Sequence, residues 1–152
     1  MATTSSRQRC FLDIGVESSK LGRLVIELRS DVVPKTAENF RTLCSQKQYK
    51  NTTFSKIIPS FKMEAGEIRG YTGKLEEKIY TLKHTKNVVS MIGKGPMFCI
   101  VTSSAAAPEL DNVQVAFGVV VDGFDVIKKI EVFGSPFGTP KKTVTIIDCG
   151  LI

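Results

Sequence analysis

Residues with the means to do chemistry are concentrated in one stretch, Thr53–Glu67 (TFSKIIPSFKMEAGE). Lys56, Lys62, Glu64 and Glu67 are interspersed there with Phe54, Ile57, Ile58, Phe61 and Met63, around a Pro59-Ser60 corner. Successive side chains of a strand point to opposite faces. The segment can therefore anchor in a core on one side and present cations, carboxylates and an aromatic ring on the other. Glu64 and Glu67 have the form of a carboxylate acid/base pair. The plainer reading of the same residues is a solvated, ion-paired strand face, the commoner fate of charged side chains.

Other reactive side chains are few. Cys10, Cys44, Cys99 and Cys149 occur singly, no CxxC pair exists, and His84 is the only histidine. A zinc site would need ligands all drawn from distant places. The sequence therefore predicts no metal, no cofactor, and buried free thiols of the kind kept in a reducing compartment.

These residues must be positioned by a chain of 152 residues, enough for one domain with a sizeable core. Its 42% hydrophobic content is in the globular range, and no apolar run approaches the ~18–20 residues of a membrane span. The start MATTSSRQR is polar and has no apolar signal core. Secretion is thus excluded, and the predicted location is the cytoplasm, with the nucleus as second expectation. Residues 1–8 read as a polar tail and 9–152 as a single domain. The 21 Lys and Arg outnumber the 15 Asp and Glu, for a net charge of +6, but they are scattered, with doublets only at places such as Lys128-Lys129 and Lys141-Lys142. Nucleic-acid binders concentrate charge into a patch or stripe, and solubility accounts for this balance equally well. Neither a nucleic acid nor a membrane is an expected partner.

Hydropathy then places the elements. Cys10, Leu12, Ile14 and Val16 alternate with Phe11, Asp13 and Gly15; Glu17–Lys20 reads as a turn; Leu24, Ile26 and Leu28 alternate with Arg23, Val25 and Glu27. Two such runs make an antiparallel hairpin. The period changes after Asp31: Pro34 suits a first helical turn, and Ala37, Phe40, Leu43 and Cys44 share one helical face, predicting a helix over 34–45. Residues 67–86 read as loop with a short strand at Ile79–Leu82. Strands are expected at Val88–Ile92, Phe98–Thr102, Gln114–Val121 and Thr143–Asp148, one helical turn at Ala105–Ala107, and a second helix at Phe124–Glu131. Seven or eight short strands without β-α-β alternation argue against a parallel sheet. A closed antiparallel barrel with helices over its open ends would leave no free edge.

The segments FLDIGVESSKLGRLVIELRSDVVPKTAENFRTL, FSKIIPSFKMEAGE, TLKHTKNVVSM, VAFGVVVDGFDVIKKIEVFGS and TVTIIDCG resemble, in order and over nearly the whole chain, the cyclophilins, or cyclophilin-type peptidyl-prolyl cis-trans isomerases. VPKTAENFRTL is the most specific match. The resemblance implies a mainly β fold, a closed eight-stranded antiparallel β-barrel capped by two α-helices. It also implies action in protein folding on Xaa-Pro peptides, with a proline-containing peptide or protein client as partner.

Isomerisation faces a barrier of about 18–20 kcal/mol, because the peptide C–N bond has double-bond character, although the two Xaa-Pro isomers are close in energy. No nucleophile or metal is required. The catalyst needs an apolar pocket for the proline ring, polar groups on the preceding carbonyl, and a donor aimed at the prolyl nitrogen. That last hydrogen bond strengthens as conjugation is lost in the twisted state.

Carried over position by position, the resemblance puts Lys56 in the place of the family's catalytic arginine, which keeps the charge but loses the planar donor fork. Ser55 stands for the preceding histidine. The substrate-binding positions are Phe61, Lys62, Glu64, Phe98, Cys99, Glu109, Leu110 and Gln114. Phe61, Phe98 and Leu110 keep the family residues, whereas Lys62 replaces a methionine and Glu64 a carbonyl-holding glutamine. An ionised carboxylate cannot donate. Cys99 replaces a phenylalanine, Glu109 the tryptophan of cyclosporin-binding members, and Gln114 a histidine. Several residues, including a substrate-contacting glutamine, are missing between Gly95-Pro96-Met97 and Phe98.

Two functions follow from the resemblance and its departures. One is a prolyl isomerase with a degenerate site and weak or lost catalysis; the other is a non-catalytic pseudo-isomerase serving as a protein-interaction or scaffolding module. In either case cyclosporin should bind poorly, because Glu109 occupies the tryptophan place. Titration calorimetry is expected to detect no tight complex; a tight one would show that Glu109 is wrongly aligned.

Overall fold

The computed structural model describes residues 7–71 and 73–152; residues 1–6 of the predicted tail, and Thr72, lie outside the described residues. The strands are β1 (Arg9–Val16), β2 (Ser19–Leu28), β3 (Phe54–Ile58), β4 (Lys62–Ala65), β5 (Val88–Met91), β6 (Phe98–Val101), β7 (Val115–Asp122) and β8 (Val144–Leu151). The helices are α1 (Pro34–Ser45) and α2 (Phe124–Glu131). All ladders are antiparallel, in the order β3-β4-β6-β5-β7-β2-β1-β8. The end strands meet at a single bridge, Thr53 to Thr145, which makes the sheet a nearly closed barrel.

The first hairpin forms as its alternation requires: Cys10, Leu12, Ile14, Leu24, Ile26 and Leu28 are all buried. Its turn is tighter than predicted. Ser19 and Lys20 already pair with Val16 and Gly15, leaving Glu17-Ser18 to reverse the chain, with Glu17 at φ 53°. Helix α1 has Pro34 in its first turn and buries Ala37, Phe40, Leu43 and Cys44. Phe40 is the hub of the interior, with ring centroids 5.3 Å from Tyr49, 5.2 Å from Phe98 and 4.9 Å from Phe117. Helix α1 packs on β8, β7 and β1, and α2 on β2 and β3. The four cysteines are buried and unpaired.

Three local readings are corrected. No strand forms at Ile79–Leu82. Those residues follow Glu77, whose carboxylate accepts from the backbone N–H groups of Thr36 at 2.7 Å and Lys35 at 3.1 Å. The loop therefore serves as the missing cap of α1, which has no side-chain cap of its own. The helical turn expected at Ala105–Ala107 lies instead at Pro108–Leu110, as a 3-10 turn with proline in its first position. Gln114 lies outside β7, which starts at Val115, and β8 continues past Asp148 to Leu151.

The exposed side of β3 is covered by the loop after α2. Ile57 N–H donates to Gly138 O at 2.8 Å, and Ser135 N–H to Ile57 O at 3.1 Å. Gly138 is in the left-handed region at φ 94°, and a Cβ there would collide with the Lys56 side chain.

Glu77→Ala should lower stability by about 1 kcal/mol through loss of the cap, and Glu77→Gln by less, since its amide oxygen still accepts. Urea unfolding of the three proteins checks this.

Candidate functional site

Strand register brings the predicted residues together. Lys56 lies opposite Glu64, and Ile58 opposite Lys62; on the other side of β4, Lys62 lies opposite Val101 and Glu64 opposite Cys99. Ile57, Met63 and Ile100, which alternate with these, belong to the core, so Lys56, Lys62, Glu64 and Cys99 share the outer face. A register shift between Phe54 and Lys56 makes this possible. Ser55 is the extra residue, and both Phe54 and Ile57 reach the core although their spacing would put them on opposite faces.

The dominant feature of the face is an ion pair within β4. Lys62 Nζ lies 2.8 Å from Glu64 Oε2, with the two side chains only 13% and 14% exposed. Lys62 Nζ also sits 5.4 Å from the centroid of the Phe61 ring, close enough for cation–π attraction. Beside the pair is a small apolar cluster of Cys99, Val101, Ala107 and Leu110, against which Phe61 and Ile92 pack. The Cys99 thiol donates to Gln114 Oε1 at 3.1 Å. Burial pushes that thiol up to about 12, so it is not a thiolate nucleophile at neutral pH. Lys56 is half-buried at the margin of the face, its stem held against Gly138. Glu109 is exposed on the 3-10 turn.

Phe98 is placed elsewhere. It is 0% exposed and stacks edge-on with Phe40 and Tyr49, at 5.2 Å from each. It pairs with Ala65 and Met91 on the inward side of the sheet, so it supports the groove from within and has no surface to offer a ligand.

A second group, which sequence reasoning left unassigned, lies behind the cluster. His84 Nδ1 is 2.7 Å from Asp111 Oδ1, and His84 Nε2 is 2.7 Å from Ser90 Oγ. The His84 backbone N–H also donates to Asp111 Oδ1 at 2.9 Å. In a neutral ring whose Nδ1–H is given to Asp111, Nε2 accepts from the Ser90 hydroxyl. The order Asp-His-Ser is that of a hydrolytic triad, but Ser90 is 0% exposed and meets no substrate. The three residues form a clamp between β5 and the turn carrying Leu110, reinforced by Ala107 N–H to His84 O at 2.8 Å. The one sequence signal was a lone histidine in a loop with no period of its own.

A barrel of this order with a small apolar cluster on its outer wall defines a class, and sequence comparison agrees. Residues 11–151 match the family model "Cyclophilin type peptidyl-prolyl cis-trans isomerase/CLD", and the chain belongs to this family. It is 37% identical, over 93% of both chains, to a protein named peptidyl-prolyl cis-trans isomerase from Encephalitozoon cuniculi (strain GB-M1). It is 38% identical over 93% of its own length to the E3 SUMO-protein ligase RanBP2 of Homo sapiens, of which it spans 5%. The RanBP2 of Pan troglodytes matches to the same extent.

Two outcomes follow. Lys62→Ala strands the Glu64 carboxylate and should destabilise by about 1–3 kcal/mol, whereas Lys62→Met combined with Glu64→Leu should be close to neutral; thermal and chemical unfolding distinguish them. Burial raises the Asp111 carboxyl, but the His84 hydrogen bonds outweigh it and the net direction is down. Its contribution is therefore complete above the ordinary carboxylate value of about 3.9 and lost as pH falls through the lower folded value. The stability gap between the native protein and Asp111→Asn should close as pH falls below the ordinary carboxylate range, as read by unfolding across pH.

Proposed function

We propose that the outer face of β3, β4 and β6 receives a proline-containing segment of a client protein, and that prolyl isomerisation there is weak or lost. The observation that carries this reading is the ion pair of Lys62 and Glu64, 2.8 Å apart and largely shielded from water. An apolar proline ring seated beside it would desolvate the pair further and supply no hydrogen bond in return. Glu64, held by Lys62, accepts and cannot steady a carbonyl. Lys56 supplies one flexible ammonium where a planar fork would fix two donors at once. Loss of one preorganised donor typically reduces turnover by about 100- to 1000-fold, or ~2.7–4 kcal/mol, and here two positions are altered together.

The second reading, a non-catalytic interaction module, is favoured by the same face. Phe61, Leu110 and Ile92 remain grouped as an apolar contact, so peptide binding can outlast catalysis. RanBP2 carries its matching region as 5% of a long chain, a setting suited to recognition.

Exchange NMR on a Xaa-Pro peptide separates the two. The native chain is expected to accelerate exchange little or not at all. The triple variant Lys56→Arg, Lys62→Met, Glu64→Gln is expected to gain at least about tenfold. Efficient catalysis by the native chain, abolished in Lys56→Ala, would overturn the proposal. Line broadening of the peptide without exchange would favour the interaction module.

A further inference from the structure

A second concave site lies between α2 and the end of the barrel, with a volume of about 400 Å³. One stripe of α2 forms its helical wall: Phe124, Ile127, Lys128 and Glu131, at the i, i+3, i+4 and i+7 spacing of a single face. The opposite wall comes from the β3–β4 turn at Ser60, the entry to β5 at Lys86-Asn87, and the chain leaving β6 at Thr102 and Ser104.

The walls are fixed. Ser60 and Asn87 both hold left-handed backbone, at φ 63° and 74°, a conformation that must be held in place by its surroundings. Ser60 N–H donates to Glu131 Oε2 at 2.8 Å. Asn87 N–H donates to Val101 O, and Asn87 O accepts from Val120 N–H, each at 2.8 Å. Thr102 is only 6% exposed, and its buried hydroxyl has no hydrogen-bond partner among the described residues.

The charges are unbalanced. Glu131 is the only acid on the walls and is engaged by Ser60. Among the described residues, neither Lys86 nor Lys128 appears in an ion pair with a carboxylate. The same walls carry the ring of Phe124, 48% exposed, and the nearly buried Ile127. A recess whose lining joins apolar side chains to two lysines outside any ion pair among the described residues complements an apolar side chain flanked by carboxylates.

We infer that this recess binds an acidic segment of a protein partner, seating one apolar side chain against Phe124 and Ile127 with neighbouring Asp or Glu on Lys86 and Lys128. Titration of the ¹⁵N-labelled chain with an acetylated, amidated pentapeptide, a leucine between paired glutamates, tests it. The amides of Asn87, Thr102, Ser104 and Ile127 should shift, and added salt should weaken the effect. The double variant Lys86→Glu, Lys128→Glu should weaken binding by at least about tenfold, and Phe124→Ala should weaken it while leaving the other amide positions unchanged. No shift at millimolar peptide, or binding that is indifferent to charge reversal, would overturn the assignment. So would shifts confined to Phe61, Cys99 and Gln114, or a single-stranded oligonucleotide that shifts these amides where the peptide does not.

Discussion

The contact on which the rest of the molecule depends is that of Phe40 with Tyr49, Phe98 and Phe117. It joins α1 to β6 and β7, the strands flanking β5, and leaves little freedom at its edges. A Cβ at Gly66 would come within 2.8 Å of both Tyr49 and Phe98 ring atoms, and the Tyr49 hydroxyl reaches Pro96 O at 2.6 Å. Because Phe98 is committed to this interior, the residues on either side of it in β6 and its partners are fixed in orientation. Met63, Ala65 and Ile100 must face in, and Lys62, Glu64 and Cys99 must face out. The inward set is constrained by packing density; the outward set is not.

What could be read from the sequence follows the same division. Helices α1 and α2 and the first hairpin were legible because Phe40, Val126 or Leu24 repeat with the period of their own element, and burial enforces that period. The bulge at Ser55 was invisible, since a one-residue shift leaves no mark in composition. The cap on α1 by Glu77 and the clamp of His84 with Asp111 and Ser90 were invisible for another reason: their partners are far apart in sequence and no local rule joins them. Ile79–Leu82 failed as a strand because its neighbours gave it no ladder to join. Within the candidate site, alternation put Lys56, Lys62 and Glu64 on one face, and the register agrees. Phe98 was not so placed, because family position says which residues matter without saying on which side of the sheet each one lies.

The chemistry of the face turns on an interaction that contributes modestly to stability. A partly shielded pair such as Lys62 and Glu64 gains Coulomb energy and loses hydration in similar measure. It fixes a dipole beside Phe61 and Leu110, and it engages both charged groups with each other, so neither is free to meet a peptide carbonyl. The clamp behind the cluster has the opposite character. Its His84 and Ser90 are buried, and it holds the turn carrying Leu110 against β5 and so shapes the apolar cluster.

The loop that runs along β3 has a consequence for how anything can bind there. Ile57 has its N–H and C=O both engaged, by Gly138 and Ser135. A guest chain therefore cannot join the sheet at this point by β-augmentation, the mode in which main-chain hydrogen bonds supply sequence-independent affinity. On the proposed reading, recognition at this face would rest on side chains. Substitutions on the outer face of β3, β4 and β6 would then alter what is bound while leaving the inward-facing core untouched.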